Sequence, residues 1–266
     1  MGYQEIIYEK PWKVEGAARI MINRPPMNTL TTTTWRELAE ALEDASFDDS
    51  VGVIVLTGAG DRAFCIGGEF KPGAGKGGFP VEMKKYAEKA HRNIREAPKP
   101  VIAAVNGVAV GGGHVLHVLC DLSIASETAR FGQAGPKVGS FDAGFGSAYL
   151  AKVVGEKRAR EIWYLCRLYS AEDAYRMGLV NKVVPADKLE EETLEWCKEI
   201  LAKSPTALRF LKASFNQFSD SLVGVEKMAF DAVWQFYDTE EASEGVKAFL
   251  EKRQPDWSRW RGGASK

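Results

Sequence analysis

The chain has 266 residues, enough for one large core or for a main unit with an appendage. Apolar residues make up 45% and charged residues 27%, a balance that excludes a disordered or fibrous chain. The formal net charge of −1 gives no global field toward nucleic acid, and no apolar run approaches membrane-spanning length.

The opening "MGYQEIIYEK" lacks the apolar centre of a signal peptide, and Ile6 stands where a myristoylation site wants Ser or Thr. "EIIYEK" and "AARIMIN" read as strands joined by a turn at Glu15-Gly16. "TWRELAEALEDASFD" places Trp35, Leu38 and Leu42 at helical spacing. "VGVIVLTG" is a near-continuous β-branched run, the pattern of a strand buried on both faces. "KPGAGKGGFP" (71–80) reads as a glycine-built loop, and "FPVEMKKYAEKAHRNIREA" as a helix stopped by Pro98 and Pro100. "VIAAVNG" is a strand, "GGGHVLHVLC" opens a helix after three glycines, and "DLSIASETARFG" is again strand and turn. This β–α–β rhythm predicts an α/β fold with crossover connections. From about Gly155 onward the pattern turns helical. It runs through "KRAREIWYLCR", "SAEDAYRMG" with Ser170 as N-cap, "KLEEETLEWCKEILAKS", "PTALRFLKASFNQF" and one long segment over 225–253. The expected division is a core over 1–200 and a helical region over 201–266. The basic tail "EKRQPDWSRWR" reads as a solvated end.

Cys65, Cys120, Cys166 and Cys197 form no C-x-x-C pair and have no metal-ligand spacing with the three histidines. Reduced, buried thiols in a cytoplasmic protein are the simplest reading. Two glycine clusters, "CIGGEF" (65–70) and "VAVGGGH" (108–114), precede apolar helical patterns. Alone, each reads first as a tight turn. As a pair, they could present free backbone N–H groups to a developing oxyanion. Neither has P-loop or Rossmann spacing. The stretch "FGQAGPKVGSFDAGFGSAYL" (131–150) sets Ser140 and Asp142 among five glycines.

In order and at this separation, "INRPPMNTLT", "VIVLTGAGDRAFCIGGEF", "PKPVIAAVNGVAVGGGHVLHVLCDLSIAS" and "ARFGQAGPKVG" resemble the crotonase (enoyl-CoA hydratase/isomerase) superfamily, over nearly the whole chain. The resemblance implies a crotonase-like spiral of ββα turns and a C-terminal helical trimerisation region, hence a homotrimer or homohexamer. It implies an acyl-CoA thioester as substrate and no metal or redox cofactor. It assigns the N–H groups of Gly68 and Gly112 to the oxyanion hole. It assigns Ile66, Gly67, Glu69, Phe70, Val108, Val110, Gly111, Gln133, Ala134 and Gly135 to substrate binding, and Lys252 to the CoA phosphates. The two glutamates with which hydratases handle water correspond to Val115 and Gly135, so simple hydration of a double bond is not expected.

"GQAGPKVGSFDAGFGSAYLAKVVGEKRAREIWYLCRLYSAEDAYRMGLVNKVVP" and "FYDTEEASEGVKAFLEKRQPDW" are similar to two branches of that superfamily. These are the 1,4-dihydroxy-2-naphthoyl-CoA synthases and the 2-ketocyclohexanecarboxyl-CoA hydrolases. The likeness assigns catalysis to Ser140, Asp142 and Tyr237, with Asp142 oriented by Ser140, and implies room for bicarbonate beside Gly135, near Gln133. The synthase's loop Arg and Tyr are missing from "GGEFKPGAGKGGFP", and Thr31 replaces its Arg. The short glycine loop is closer to the hydrolase, although Thr31 and Phe70 depart from that pattern too. The expected activity is therefore hydrolytic opening of a cyclic β-keto acyl-CoA ring. Ring closure by a naphthoate-type synthase is the alternative, and a non-catalytic RNA-binding or structural member is the alternative of another class. Cys65 reads as a buried thiol and His114 as a helix-start contact.

Overall fold

The alternating first segments form β1 (Ile6–Glu9) and β2 (Ala17–Ile22), antiparallel with Ile6 opposite Ile22. The computed structural model describes residues 2–69 and 80–261. Phe70 and nearly all of the loop expected over 71–80 lie outside the described residues. Helix α1 (Thr32–Phe47) starts at a reciprocal cap: Thr34 N–H donates to Thr31 Oγ1 and Thr31 N–H to Thr34 Oγ1, both at 3.1 Å.

A repeating unit follows. Strands β3 (Val53–Gly58) and β4 (Ala63–Cys65) precede α2 (Val81–Glu96). Strands β5 (Val101–Val105) and β6 (Val108–Val110) precede α3 (Gly112–Leu119). Strands β7 (Leu122–Ser126) and β8 (Arg130–Gly132) precede the short α4 (Gly135–Val138). The first strand of each unit joins one sheet, where β2, β3, β5 and β7 run parallel. The second joins another, where β4, β6 and β8 run parallel. Each ββα turn thus advances both sheets by one strand, which is the spiral expected from the sequence.

The chain continues through a π-helical turn (Phe145–Tyr149), α5 (Leu150–Val154), α6 (Glu156–Leu165), β9 (Tyr169–Ser170) and α7 (Ala171–Arg176). Ser170 caps α7 as expected, its Oγ accepting from Asp173 N–H at 3.1 Å. Strand β10 (Lys182–Val184) adds to β7 in parallel, completing a six-stranded sheet, and α8 (Leu189–Leu201) packs on its far face. On β3, Ile54 and Leu56 join the core with α1–α3, while Val53 and Val55 join a second cluster with Leu189 and Cys197. The uninterrupted apolar run of this strand reflects that two-sided burial.

The last helices are α9 (Pro205–Gln217), α10 (Ser221–Tyr237) and α11 (Glu240–Leu250). The long segment expected over 225–253 is broken at Asp238. There Thr239 turns extended and its Oγ1 accepts from Ala242 N–H at 3.2 Å, so the capping residue, not the apolar periodicity, sets the boundary.

Candidate active site

The two glycine clusters meet at the ends of β4 and β6. Gly67 has φ +84°, and a Cβ there would lie 2.8 Å from the Gly112 nitrogen, so only glycine lets the two loops abut. The Gly67 carbonyl accepts from Leu30 N–H at 2.8 Å, which fixes the first loop against the start of α1. Gly68 follows it, and Gly112 opens α3. Among the described residues, neither the Gly68 nor the Gly112 N–H has a hydrogen-bond partner. Both residues line a cavity of about 170 Å³.

Ser140, Asp142 and Tyr237 line the same cavity. The sequence expectation pairs Ser140 with Asp142. Instead the Ser140 and Tyr237 hydroxyls lie 2.7 Å apart, because α10 ends against the glycine turn with Tyr237 as its last residue. Asp142 is held by the turn itself: the Gly144 and Gly146 N–H groups donate to its Oδ1 at 2.9 and 3.0 Å. The intervening Phe145 N–H donates to Glu226 Oε2 at 2.7 Å. Three successive N–H groups are thus shared by two carboxylates. The glycines make room for them. A Cβ on Gly144 would lie 1.8 Å from Glu226 Oε2, and one on Gly146 would lie 2.7 Å from the Asp142 carboxyl carbon. This is the physical reason for the glycines of "DAGFG".

Burial and then the neighbouring Glu226 charge push the Asp142 carboxyl up to about 6, against the lowering effect of His91 and the two N–H groups. Burial and then the Asp142 charge raise the Tyr237 hydroxyl to about 12, partly offset by the Ser140 bond. Asp142 is thereby suited to exchange a proton near neutral pH, whereas Tyr237 stays a donor.

Glu226 and His91 were not anticipated from the sequence. Glu226 Oε1 accepts from His91 Nδ1 at 2.7 Å, and both side chains are more than nine-tenths buried. Glu226 lies on the face of α10 that supplies Ala229, Phe230, Val233, Trp234 and Tyr237 to the cavity wall. A charged residue within that helical stripe is the signal that could have found it.

Of the other assigned residues, Ile66, Gly67, Gly111, Gln133, Ala134 and Gly135 line the cavity. Val108 and Val110 do not: they lie in β6, hydrogen-bonded between β4 and β8, ahead of the glycine loop. Glu69 also stands outside the lining, its Oε2 3.5 Å from Arg24 Nη2. Lys252 is exposed just beyond α11 at φ +56°, away from the lining. Val115, at a hydratase glutamate position, is buried and forms part of the wall. His114 is fully buried, 3.2 Å through Nδ1 from Gln133 Nε2, and burial lowers it to about 3, so it stays neutral. Cys65 is fully buried and raised by burial to about 12, a packing thiol rather than a nucleophile.

The corner beside Gly135, the expected place for bicarbonate, is tight at the backbone. A Cβ there already approaches the Ser140 carbonyl oxygen to 2.8 Å and the Trp163 ring to 3.0 Å. No Lys or Arg among the described residues lines the cavity to balance an anion. Among the described residues no group of His, Cys, Asp and Glu could hold a metal ion, and no helix is long and apolar enough to cross a membrane.

The ββα spiral, the paired glycine N–H groups and the acid-lined cavity define a crotonase-type site. The chain belongs to that superfamily: residues 13–260 match the family model described as enoyl-CoA hydratase/isomerase. It is similar to an enoyl-CoA hydratase from Mycobacterium avium subsp. paratuberculosis K-10, with 29% identity and TM-score 0.83 over 97% of this chain and 100% of that one. It is also similar to an enoyl-CoA hydratase/carnithine racemase from Magnetospirillum magneticum, with 33% identity and TM-score 0.76 over 96% of each chain. A monofunctional enoyl CoA isomerase from M. smegmatis has 32% identity and TM-score 0.69, over 81% of this chain and 94% of that one. The protein is an acyl-CoA enzyme of this family.

Proposed function

We propose that the protein hydrolytically opens the ring of a cyclic β-keto acyl-CoA. The observation that carries this reading is the content of one cavity. Val115 and Gly135 bring no acid to the positions where a hydratase needs one, while Asp142, Ser140 and Tyr237 line the same cavity as Gly68 and Gly112.

In this mechanism the Asp142 carboxylate takes a proton from water as the water oxygen bonds to the ring ketone carbon. The carbonyl π electrons move onto the ketone oxygen, which receives a hydrogen bond from Tyr237, itself held by Ser140. The alkoxide then collapses to a carboxylic acid and the ring C–C bond breaks. Its electron pair moves into the thioester, whose oxygen becomes an enolate held by the Gly68 and Gly112 N–H groups. Asp142 returns its proton to the α-carbon, leaving an open-chain acid thioester. Loss of one oxyanion donor typically costs about 3 kcal/mol of barrier. The same groups run in the opposite direction would close a ring, the synthase alternative.

Lys252 is assigned to the CoA phosphates, residues 1–200 to the acyl-CoA core and 201–266 to oligomerisation, with trimers or paired trimers as the assembly. The unpaired cysteines fit a reducing, cytoplasmic setting.

The test is a panel of thioesters with product mass analysis: 2-oxocyclohexanecarbonyl-CoA, succinylbenzoyl-CoA and crotonyl-CoA. A product heavier by one water from the cyclic β-keto ester alone is the expected result. Cyclisation of succinylbenzoyl-CoA would favour the synthase, and inertness toward all three would remove the ring-opening and ring-closing readings alike.

A further inference from the structure

Where α2 and α10 line the cavity, His91 stands among the apolar side chains of Met83, Ala87, Ala229, Phe230 and Val233. His91 sits between rings, its centroid 5.4 Å from Trp35 and 5.5 Å from Phe230. Its Nδ1 is committed to Glu226, and its Nε2 is buried with no hydrogen-bond partner among the described residues. Buried polar atoms are rarely left unpaired, so an orphan on a cavity wall points to a ligand group.

The dyad also narrows what that group is. Glu226 accepts from Phe145 N–H through one oxygen and faces His91 Nδ1 through the other, which leaves Nε2 as the ring nitrogen available to a ligand. An all-carbon ring gives that atom nothing, whereas a hydroxyl, on the acyl group itself or on a ketone that has added water, both donates and accepts and so meets Nε2 whether or not it carries a proton.

We propose that His91, oriented by Glu226, is a specificity-determining residue that selects acyl groups bearing a hydroxyl, or a ketone that becomes one on hydration, at the aromatic end of the cavity. The inference rests on the acyl-thioester reading above and adds the chemical class of the acyl group. It also assigns a step: His91 holds the new hydroxyl of the hydrated ring ketone, so its contact strengthens after water adds and before the ring opens. Its loss acts on turnover more than on ground-state binding.

The experiment compares two inert ligands by calorimetry: cyclohexanecarbonyl-CoA and each diastereomer of 2-hydroxycyclohexanecarbonyl-CoA. The wild type binds one hydroxy ester roughly threefold to tenfold more tightly than the deoxy ester, the range of one neutral hydrogen bond. His91→Asn keeps a side-chain N–H near the Nδ1 position and deletes Nε2. It erases the preference while leaving the deoxy ester's affinity in place. Glu226→Gln keeps the shape, but its single carbonyl oxygen must serve two donors. It can no longer accept from Phe145 N–H and His91 Nδ1 together, so the ring loses its anchor and the preference for the hydroxy ester falls. With 2-oxocyclohexanecarbonyl-CoA as substrate, both variants lower kcat with KM little changed. A hydroxyl preference that survives in His91→Asn overturns the inference. So does an equal loss of affinity for both esters, which would mark His91 as structural only, or a wild type without preference. If the wild type binds none of these esters, the acyl-thioester reading itself fails and the inference falls with it. Failure of the inference alone leaves every ester bound.

Discussion

Replacing Asp142 by Asn removes a charge from beside Glu226 while keeping an oxygen for the Gly144 and Gly146 N–H groups. The carboxyl is raised from an ordinary 3.8 to about 6, so it is more easily ionised in the unfolded chain than in the folded one. Folding stability attributable to it is full below about pH 4, falls as pH rises through the interval up to about 6, and is constant above that. The interval of about two pH units corresponds to about 3 kcal/mol at most by linkage. Asn behaves as the neutral form at every pH. The variant should therefore match wild type near pH 4 and exceed it near pH 8 by up to about 3 kcal/mol, or roughly 5–10 °C in melting temperature for a chain of this size. Scanning calorimetry of both proteins at these pH values is the assay. An equal gain at both, or a variant less stable near pH 8, would refute the account of Asp142 as a carboxylate held against its own charge. Turnover should move the other way, falling by about 10² to 10⁴ because the amide cannot carry a proton.

Gly67→Ala places a Cβ 2.8 Å from the Gly112 nitrogen, so it should displace the N–H pair and lower kcat by about 10² to 10³, more than its modest effect on melting would explain. Crotonyl-CoA should keep its double-bond absorbance when incubated with the enzyme, since Val115 and Gly135 carry no carboxyl; rapid bleaching would contradict this. Phe210, Phe215 and Phe218 are 64%, 75% and 78% exposed, so light scattering should give a trimer or hexamer at micromolar concentration, and Phe215→Ser should shift it toward smaller species.

The spiral was legible because each of its parts has a local cause. The two-sided burial of β3 leaves a continuous apolar run, and Ser170 announces α7 by its capping chemistry. Ser140, Asp142 and Tyr237 were readable as motif members, and the fold brings them to one cavity. Their pairing was not readable, since adjacency along the chain suggested Ser140 with Asp142, whereas the end of α10 delivers Tyr237 to Ser140. His91 and Glu226 stand 135 positions apart, each on a helix whose apolar stripe looks the same whether it faces packed core or a ligand cavity. Only a polar residue inside each stripe distinguishes the two cases.

Helix α10 has a consequence for how this enzyme can change. The spiral alone presents the paired glycine N–H groups, which in the proposed reading serve any acyl thioester. The residues at 226, 229, 230, 233, 234 and 237, all on one helical face, line the same cavity. Between its two ends, Glu226 and Tyr237, this face adds only apolar side chains to the cavity. Exchanging 229, 230, 233 and 234 for those of a relative, with Glu226 and Tyr237 kept, should carry a new acyl preference into an undisturbed frame, while changes to the glycine loops should abolish activity toward every substrate alike.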